Sequence, residues 1–136
     1  AVVGPPDAPG FVDGVREMFD IDYLGTVRVT QAVVPAMRKQ GSGQILNMSS
    51  VMGRKAFANF GGYASVMHAI IGYTDALRQE LRGAGIDVSV ILPSLTQTPS
   101  TTPMTELSRL TSTMAYVSSE MVRRLTSRAG TSVDDQ

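Results

Sequence analysis

Residues 44–81 read QILNMSSVMGRKAFANFGGYASVMHAIIGYTDALRQEL, and a change of period inside them decides the fold. Gln44 to Met48 is short and apolar, the pattern of a buried strand. The serine pair Ser49-Ser50 closes it. From about Tyr63 to Leu81 the period is helical: Ile70, Tyr73, Thr74, Leu77 and Leu81 line one side. Asp75, Arg78, Gln79, Glu80 and Arg82 are mostly available to solvent. Gly83 and Gly85 are helix-stopping glycines. The run IDVSVIL, Ile86 to Leu92, is rich in β-branched residues and is stopped by Pro93, which predicts a second strand.

Upstream, apolar residues recur at helical spacing from about Val12 to Lys39: Val15, Met18, Phe19, then Val27, Val29, Ala32, Val33 and Met37. Gly25 and Pro35 interrupt the pattern, which predicts one long bent helix or two joined ones. Arg38-Lys39 suits a helix C-terminus, and Gly41-Ser42-Gly43 breaks the chain before the first strand. The opening Ala1-Val2-Val3 resembles the end of a strand that begins upstream, so the sequence is expected to be a fragment. Gly4-Pro5-Pro6 is a turn. Helices of this length between short apolar strands favour parallel pairing through crossovers. The expected class is α/β, an open, doubly wound parallel sheet.

After Pro93, residues 94–113 are crowded with Ser and Thr. Met104, Leu107, Leu110 and Met114 predict a short amphipathic helix, and Ser118-Ser119-Glu120 an N-terminal cap for another. The tail SRAGTSVDDQ has little to bury.

The 136 residues suffice for one modest domain, with 12 basic and 12 acidic residues in balance. That balance argues against nucleic acid or an anionic membrane as the main partner. There is no cysteine, which excludes disulfides and thiolate metal sites and fits a reducing, cytoplasmic setting. His68 is the sole histidine, too little for a typical zinc site. No apolar run approaches the ~18 residues of a membrane span.

In an open parallel sheet the ligand crevice lies at the carboxyl ends of the strands. Ser49-Ser50 and the loop from Pro93 to Thr98 both end there, and Tyr63 begins the helix after the serine loop. A hydroxyl and a phenol converging on one place can grip a carbonyl oxygen and pass it a proton. In this order these residues resemble the short-chain dehydrogenase/reductase family. MFDIDYLGTVRVTQAVVPAMRKQGSGQILNMSS is similar to its central helix and the strand leading to its serine; YASVMHAIIGYTDALRQEL is similar to its tyrosine–lysine helix; ILPSLTQT is similar to its nicotinamide loop. The resemblance implies the C-terminal half of a Rossmann-type domain over residues 1–98, with a variable substrate lid and helical tail over 99–136. It implies an oxidoreductase binding NAD or NADP and moving hydride between nicotinamide and a small-molecule carbonyl or secondary alcohol. Ser50 would polarise the substrate oxygen and Tyr63 would act as general acid or base. Pro93, Ser94 and Thr98 would meet the cofactor together with Tyr63. A homodimer or homotetramer is implied as well.

Two positions depart from the family pattern. Met67 stands where the family has lysine, and Asp22 where it usually has asparagine. An ammonium ~4 Å from a phenolate favours the ionised form by roughly 4 kcal/mol at an effective dielectric of ~20. Met67 offers no charge, so much of a general acid–base contribution of ~10² to 10⁴ in rate is expected to be missing. Asp22 keeps the backbone carbonyl that the asparagine uses, but an ionised carboxylate donates no hydrogen bond. The family's glycine-rich turn belongs to its first βαβ unit, and Gly41-Ser42-Gly43 is no substitute because it precedes a strand. The alternative is a non-catalytic or truncated relative acting through subunit association.

Overall fold

Parallel strands need a long crossover, and the amphipathic segment after Ser50 supplies it. In the computed structural model, which describes residues 3–94, strand β1 (Gly43–Met48) pairs in parallel with β2 (Ile86–Ile91). Gly43 stands opposite Ile86 and Met48 opposite Ile91. Helix α3 (Gly61–Glu80) joins them and packs on one face of the pair. The helical spacing is realised: Val66, Ile70, Thr74, Leu77 and Leu81 are all buried along it. Alternation along the strands is equally clear. Ile45, Asn47, Ile86 and Val88 face inward, while Leu46 and Met48 remain 58% and 61% exposed on the other face.

The core has two parts. Ile45, Leu77, Leu81, Ile86 and Val88 form one, with Val34, Met37 and Tyr73 against it. Met18, Val66, Met67 and Ile70 form the other, flanked by Val15, Phe19, Tyr23 and Tyr63.

The upstream helix is broken, as its composition predicts, but by a different device. Helix α1 (Phe11–Met18) passes into a π-helical turn (Phe19–Leu24) and then into α2 (Gly25–Gln40). The break therefore ends where Gly25 begins, and Pro35 sits inside α2. Wider winding turns Phe19 and Tyr23 toward α3. Their rings meet edge to face at 6.0 Å, and Tyr23 meets Tyr73 of α3 at 6.1 Å. The Thr26 hydroxyl donates to the Asp22 carbonyl at 2.7 Å and Thr30 to the Thr26 carbonyl at 2.9 Å. Helix α2 ends at Gly41, whose φ of 73° is left-handed.

Two buried side-chain bonds lock β1 onto α3. Asn47 donates through Nδ2 to Thr74 Oγ1 at 2.9 Å, and Thr74 donates in turn to the Ile70 carbonyl at 2.7 Å. Ser49 Oγ donates to the Met67 carbonyl at 2.9 Å. Removing one partner of a buried bond leaves the other unsatisfied. Thr74→Val is therefore expected to cost about 1–3 kcal/mol of stability, read as a lower urea midpoint at unchanged m-value.

Val3 is exposed and lies in no strand, so the described sheet has two strands. The predicted helices around Met104 to Leu125, the tail and the 99–136 region lie outside the described residues. No described helix is long and apolar enough to cross a membrane. The described residues contain no group of three or more His, Asp or Glu able to hold a metal ion.

Candidate active site

The π turn, the carboxyl half of β1 and the first turns of α3 surround a cleft of about 500 Å³. Three segments distant in sequence meet there. Asp22 comes from the π turn and Gly25 and Thr26 from the start of α2, Asn47, Met48 and Ser49 from the strand end, and Tyr63, Met67 and Ile70 from α3. Ile21, Val29 and Leu46 complete an apolar wall. Tyr63 and Met67 share a helical face because they are four residues apart.

Tyr63 is half-buried, and its hydroxyl has no hydrogen-bond partner among the described residues. Asp22 is half-buried too. Its carbonyl accepts from Thr26, while its carboxylate makes no ion pair or hydrogen bond among the described residues. Met67 is 5% exposed, packed with Met18, Val66 and Ile70, and it presents no charge to the cleft.

The serine pair divides its work. Ser49 lines the cleft, with its hydroxyl proton committed to the Met67 carbonyl. Ser50 does not line it. Ser50 is buried at the start of the 3-10 turn (Val51–Gly53), where Oγ accepts the Met52 N–H at 3.2 Å. Its own proton has no acceptor among the described residues. The structure thus gathers Asp22, Tyr63 and Met67 into one cleft, with Ser50 one residue past the lining. Pro93 and Ser94 follow β2 and are half-buried, and Thr98 lies outside the described residues.

Sequence reasoning missed Asn47, Ser49 and Thr74 as the groups that hold α3 in place. Period two along β1 contains the signal, because Ile45, Asn47 and Ser49 all turn to the helix side.

Cations near the serine loop are directed elsewhere. Lys55 Nζ lies 5.8 Å from the centroid of the Phe57 ring. Arg54 approaches Asp75 at 3.9 Å, and Arg78 binds the same carboxylate at 2.7 Å. His68 is exposed, with Nδ1 2.8 Å from the Ala64 carbonyl. A second groove, of about 540 Å³, runs past Arg78, Arg82 and Asp87 and contains none of the sequence-predicted residues.

A nicotinamide cofactor needs a place for its ring and a cradle for its pyrophosphate. The cleft at the strand ends suits the reacting end. The pyrophosphate end does not fit the described residues. Gly41 precedes β1 and Gly43 opens it, Gly83 and Gly85 precede β2, and Gly53 and Gly61-Gly62, which lie between β1 and α3, do not have the G-x-G-x-x-G spacing of a phosphate-binding turn.

Residues 11–108 match the family model described as short chain dehydrogenase. The sequence is 40% identical over 83 residues to dehydrogenase/reductase SDR family member 7B of Danio rerio, covering 61% of this chain and 27% of that protein. It is 35% identical over 79 residues to the ketoacyl reductase HetN of a Nostoc strain, covering 58% of this chain and 28% of that protein. Among solved structures, a short-chain dehydrogenase from Streptomyces avermitilis superposes with a TM-score of 0.65 at 30% identity, over 71% of this chain and 36% of that one. A gluconate 5-dehydrogenase from Burkholderia cenocepacia, in complex with NADP and tartrate, gives 0.69 at 25% identity, over 74% and 39%. The chain thus spans between about a quarter and two fifths of the length of these relatives.

Proposed function

This chain belongs to the short-chain dehydrogenase family, and from that premise we propose that it carries the reacting half of an NAD(P)-dependent oxidoreductase site. The substrate is a small carbonyl compound or secondary alcohol held in the cleft beside Tyr63. When bound, the nicotinamide supplies or accepts the hydride. The chain's own residues handle the oxygen and its proton. Ser50, buried one residue past the cleft lining and with no acceptor for its hydroxyl proton among the described residues, is proposed to turn that hydroxyl to the substrate oxygen. Tyr63 gives its phenolic proton to that oxygen during reduction and takes it back during oxidation. Ser49, through the Met67 carbonyl, and Asn47, through Thr74, keep α3 at the depth at which the phenol reaches the cleft. Pro93, Ser94 and Thr98 are proposed as the contacts on the nicotinamide side, and a homodimer or homotetramer as the assembly.

The observation that carries this reading is the Tyr63 hydroxyl, without a hydrogen-bond partner among the described residues, on a residue that lines a cleft with Asp22 and Met67. The test is oxidation of NADPH and NADH by the purified chain against a panel of aldehydes and ketones. Tyr63→Phe keeps the ring and removes only the hydroxyl. Placed in the Met67→Lys protein, where residue 67 carries a charge beside the phenol, it is expected to lower turnover about 10² to 10⁴-fold at unchanged cofactor affinity. Equal turnover in both proteins overturns the assignment.

A second reading is favoured by one observation. Met67 is a well-packed member of the apolar core, with no charge in the place where the family has a lysine. On that reading the chain is a non-catalytic relative that acts by association with other subunits. Stable folding with no cofactor binding and no turnover supports it.

A further inference from the structure

We propose that Val15 of α1 and Gly62 of α3 form a stop that sets the position of the Tyr63 phenol, which makes both of them positioning residues for the proton transfer. The inference rests on the reading of Tyr63 as the proton-transferring group. Tyr63 stands in the first turn of α3, and its own helix does little to hold that turn. Phe60, the N-cap residue, makes no side-chain cap bond. The Ser65 hydroxyl bonds the Gly61 carbonyl, which lies in the same helix. The two side-chain bonds that fasten α3 to β1 act further along, at the Met67 carbonyl and at Thr74. The element that meets the first turn is α1. Phe11, Val15 and Met18 share one face of α1, four and then three residues apart. That face lies against Gly62, which is buried.

The fit there leaves no room for a side chain. A Cβ on Gly62 would lie 2.6 Å from Val15 Cγ2, and 3.5 Å from both Met18 Cε and Phe11 Cζ. The two longer distances are ordinary contacts, while the first is about 1 Å too short. Val15 has little freedom to yield. A helical valine has one strongly preferred χ1, and this one packs against the cluster of Met18, Val66, Met67 and Ile70. Relief has to come from α3 moving off α1, and the next residue along α3 is Tyr63. A misplacement of about 1 Å at a reacting group can cost ~10²-fold in rate. Backbone conformation does not explain the glycine, because Gly62 is helical and has no positive φ. Alanine is the better helix residue. What glycine supplies at this position is closeness. Its neighbour Gly61 is the contrast: it is exposed, and a Cβ there would meet nothing within 4 Å.

The test reads where the phenol sits, and then what it does. The full chain is labelled with meta-fluorotyrosine, and the Tyr63 fluorine resonance is assigned by its loss in Tyr63→Phe. Gly62→Ala is expected to shift that resonance. Adding Val15→Ala, which removes Cγ2, is expected to return it to its unaltered position. A shift caused only by a new methyl next to Tyr63 in the chain would persist in the double variant. Gly61→Ala is expected to leave the resonance in place. In the Met67→Lys protein, Gly62→Ala is expected to lower kcat about 10²-fold at unchanged KM for NADPH, and Val15→Ala added to it to restore kcat. An unmoved resonance in a folded Gly62→Ala protein, or no return in a folded double variant, overturns the proposal. If Gly62→Ala does not fold, a double variant that folds with the unaltered Tyr63 resonance upholds the stop, and failure of both to fold overturns it. A resonance that moves and returns in a chain that has no turnover even with Met67→Lys removes the oxidoreductase reading alone. Turnover beside an unmoved resonance removes the stop alone.

Discussion

Met67→Lys is expected to raise turnover of NADPH with an aldehyde or ketone by about 10² to 10⁴-fold over the unaltered chain. The reason is local. Residue 67 lies one helical turn after Tyr63, on the same face, and lines the same cleft. An ammonium there favours the phenolate by roughly 4 kcal/mol at ~4 Å and an effective dielectric of ~20. The backbone is already fixed, since the Ser49 hydroxyl holds the carbonyl of residue 67. The cost is also local. Met67 packs against Met18, Val66 and Ile70, and the lysine stem can fill that space only if its head turns into the cleft toward Asp22. An unfolding curve measured beside the assay separates the two effects. A folded Met67→Lys protein that binds cofactor and gains no turnover refutes the explanation of the defect.

The second large effect is on folding. Gly85→Ala is expected to destabilise the chain by more than ~3 kcal/mol, a large share of the ~5–15 kcal/mol by which domains are stable. Two terms add. The φ of 71° at Gly85 is left-handed, which costs an alanine about 1–2 kcal/mol. A Cβ there would also overlap the Gly41 carbonyl, which is backbone and has no rotamer through which to yield. The two glycines cross where both strands begin, and the Gly43 N–H donates to the Gly85 carbonyl at 3.0 Å beside the crossing. Gly83→Ala is the matched control. It has a φ of 86°, but a Cβ there would meet nothing within 4 Å. Its cost is expected to stop at the ~1–2 kcal/mol of the backbone term. Equal urea midpoints for the two variants would show that the clash contributes nothing.

Much of this molecule is written in its periods. The helical repeat of Ile70, Tyr73, Thr74, Leu77 and Leu81 and the two short apolar runs on either side are enough for a parallel pair with a helical crossover. The π turn is not legible in the same way. Phe19 to Leu24 carries no breaker of its own, and the residues that look like breakers, Gly25 and Pro35, sit just after it and well inside α2. Wider winding is chosen by tertiary contact, here the edge-to-face stack that joins Phe19 and Tyr23 to Tyr73. The site divides along the same line. Tyr63 and Met67 are visible as an i, i+4 pair, and the structure adds Asp22 through a helix break that no local pattern announces. Ser49 and Ser50 look interchangeable as letters. They differ because successive residues leave a strand on opposite sides, so one hydroxyl meets α3 and the other caps a turn.

The π turn also sets how this gene can change length. A π turn holds about one residue more than α winding over the same rise. Loss of a single codon between Phe19 and Leu24 would return the backbone to regular winding. Every side chain before it would then rotate by about 100° about the helix axis. Met18 would swing off Val66 and Ile70, and Asp22 or its replacement would leave the cleft. Length in this stretch is therefore held by geometry, even where the individual letters are free to vary.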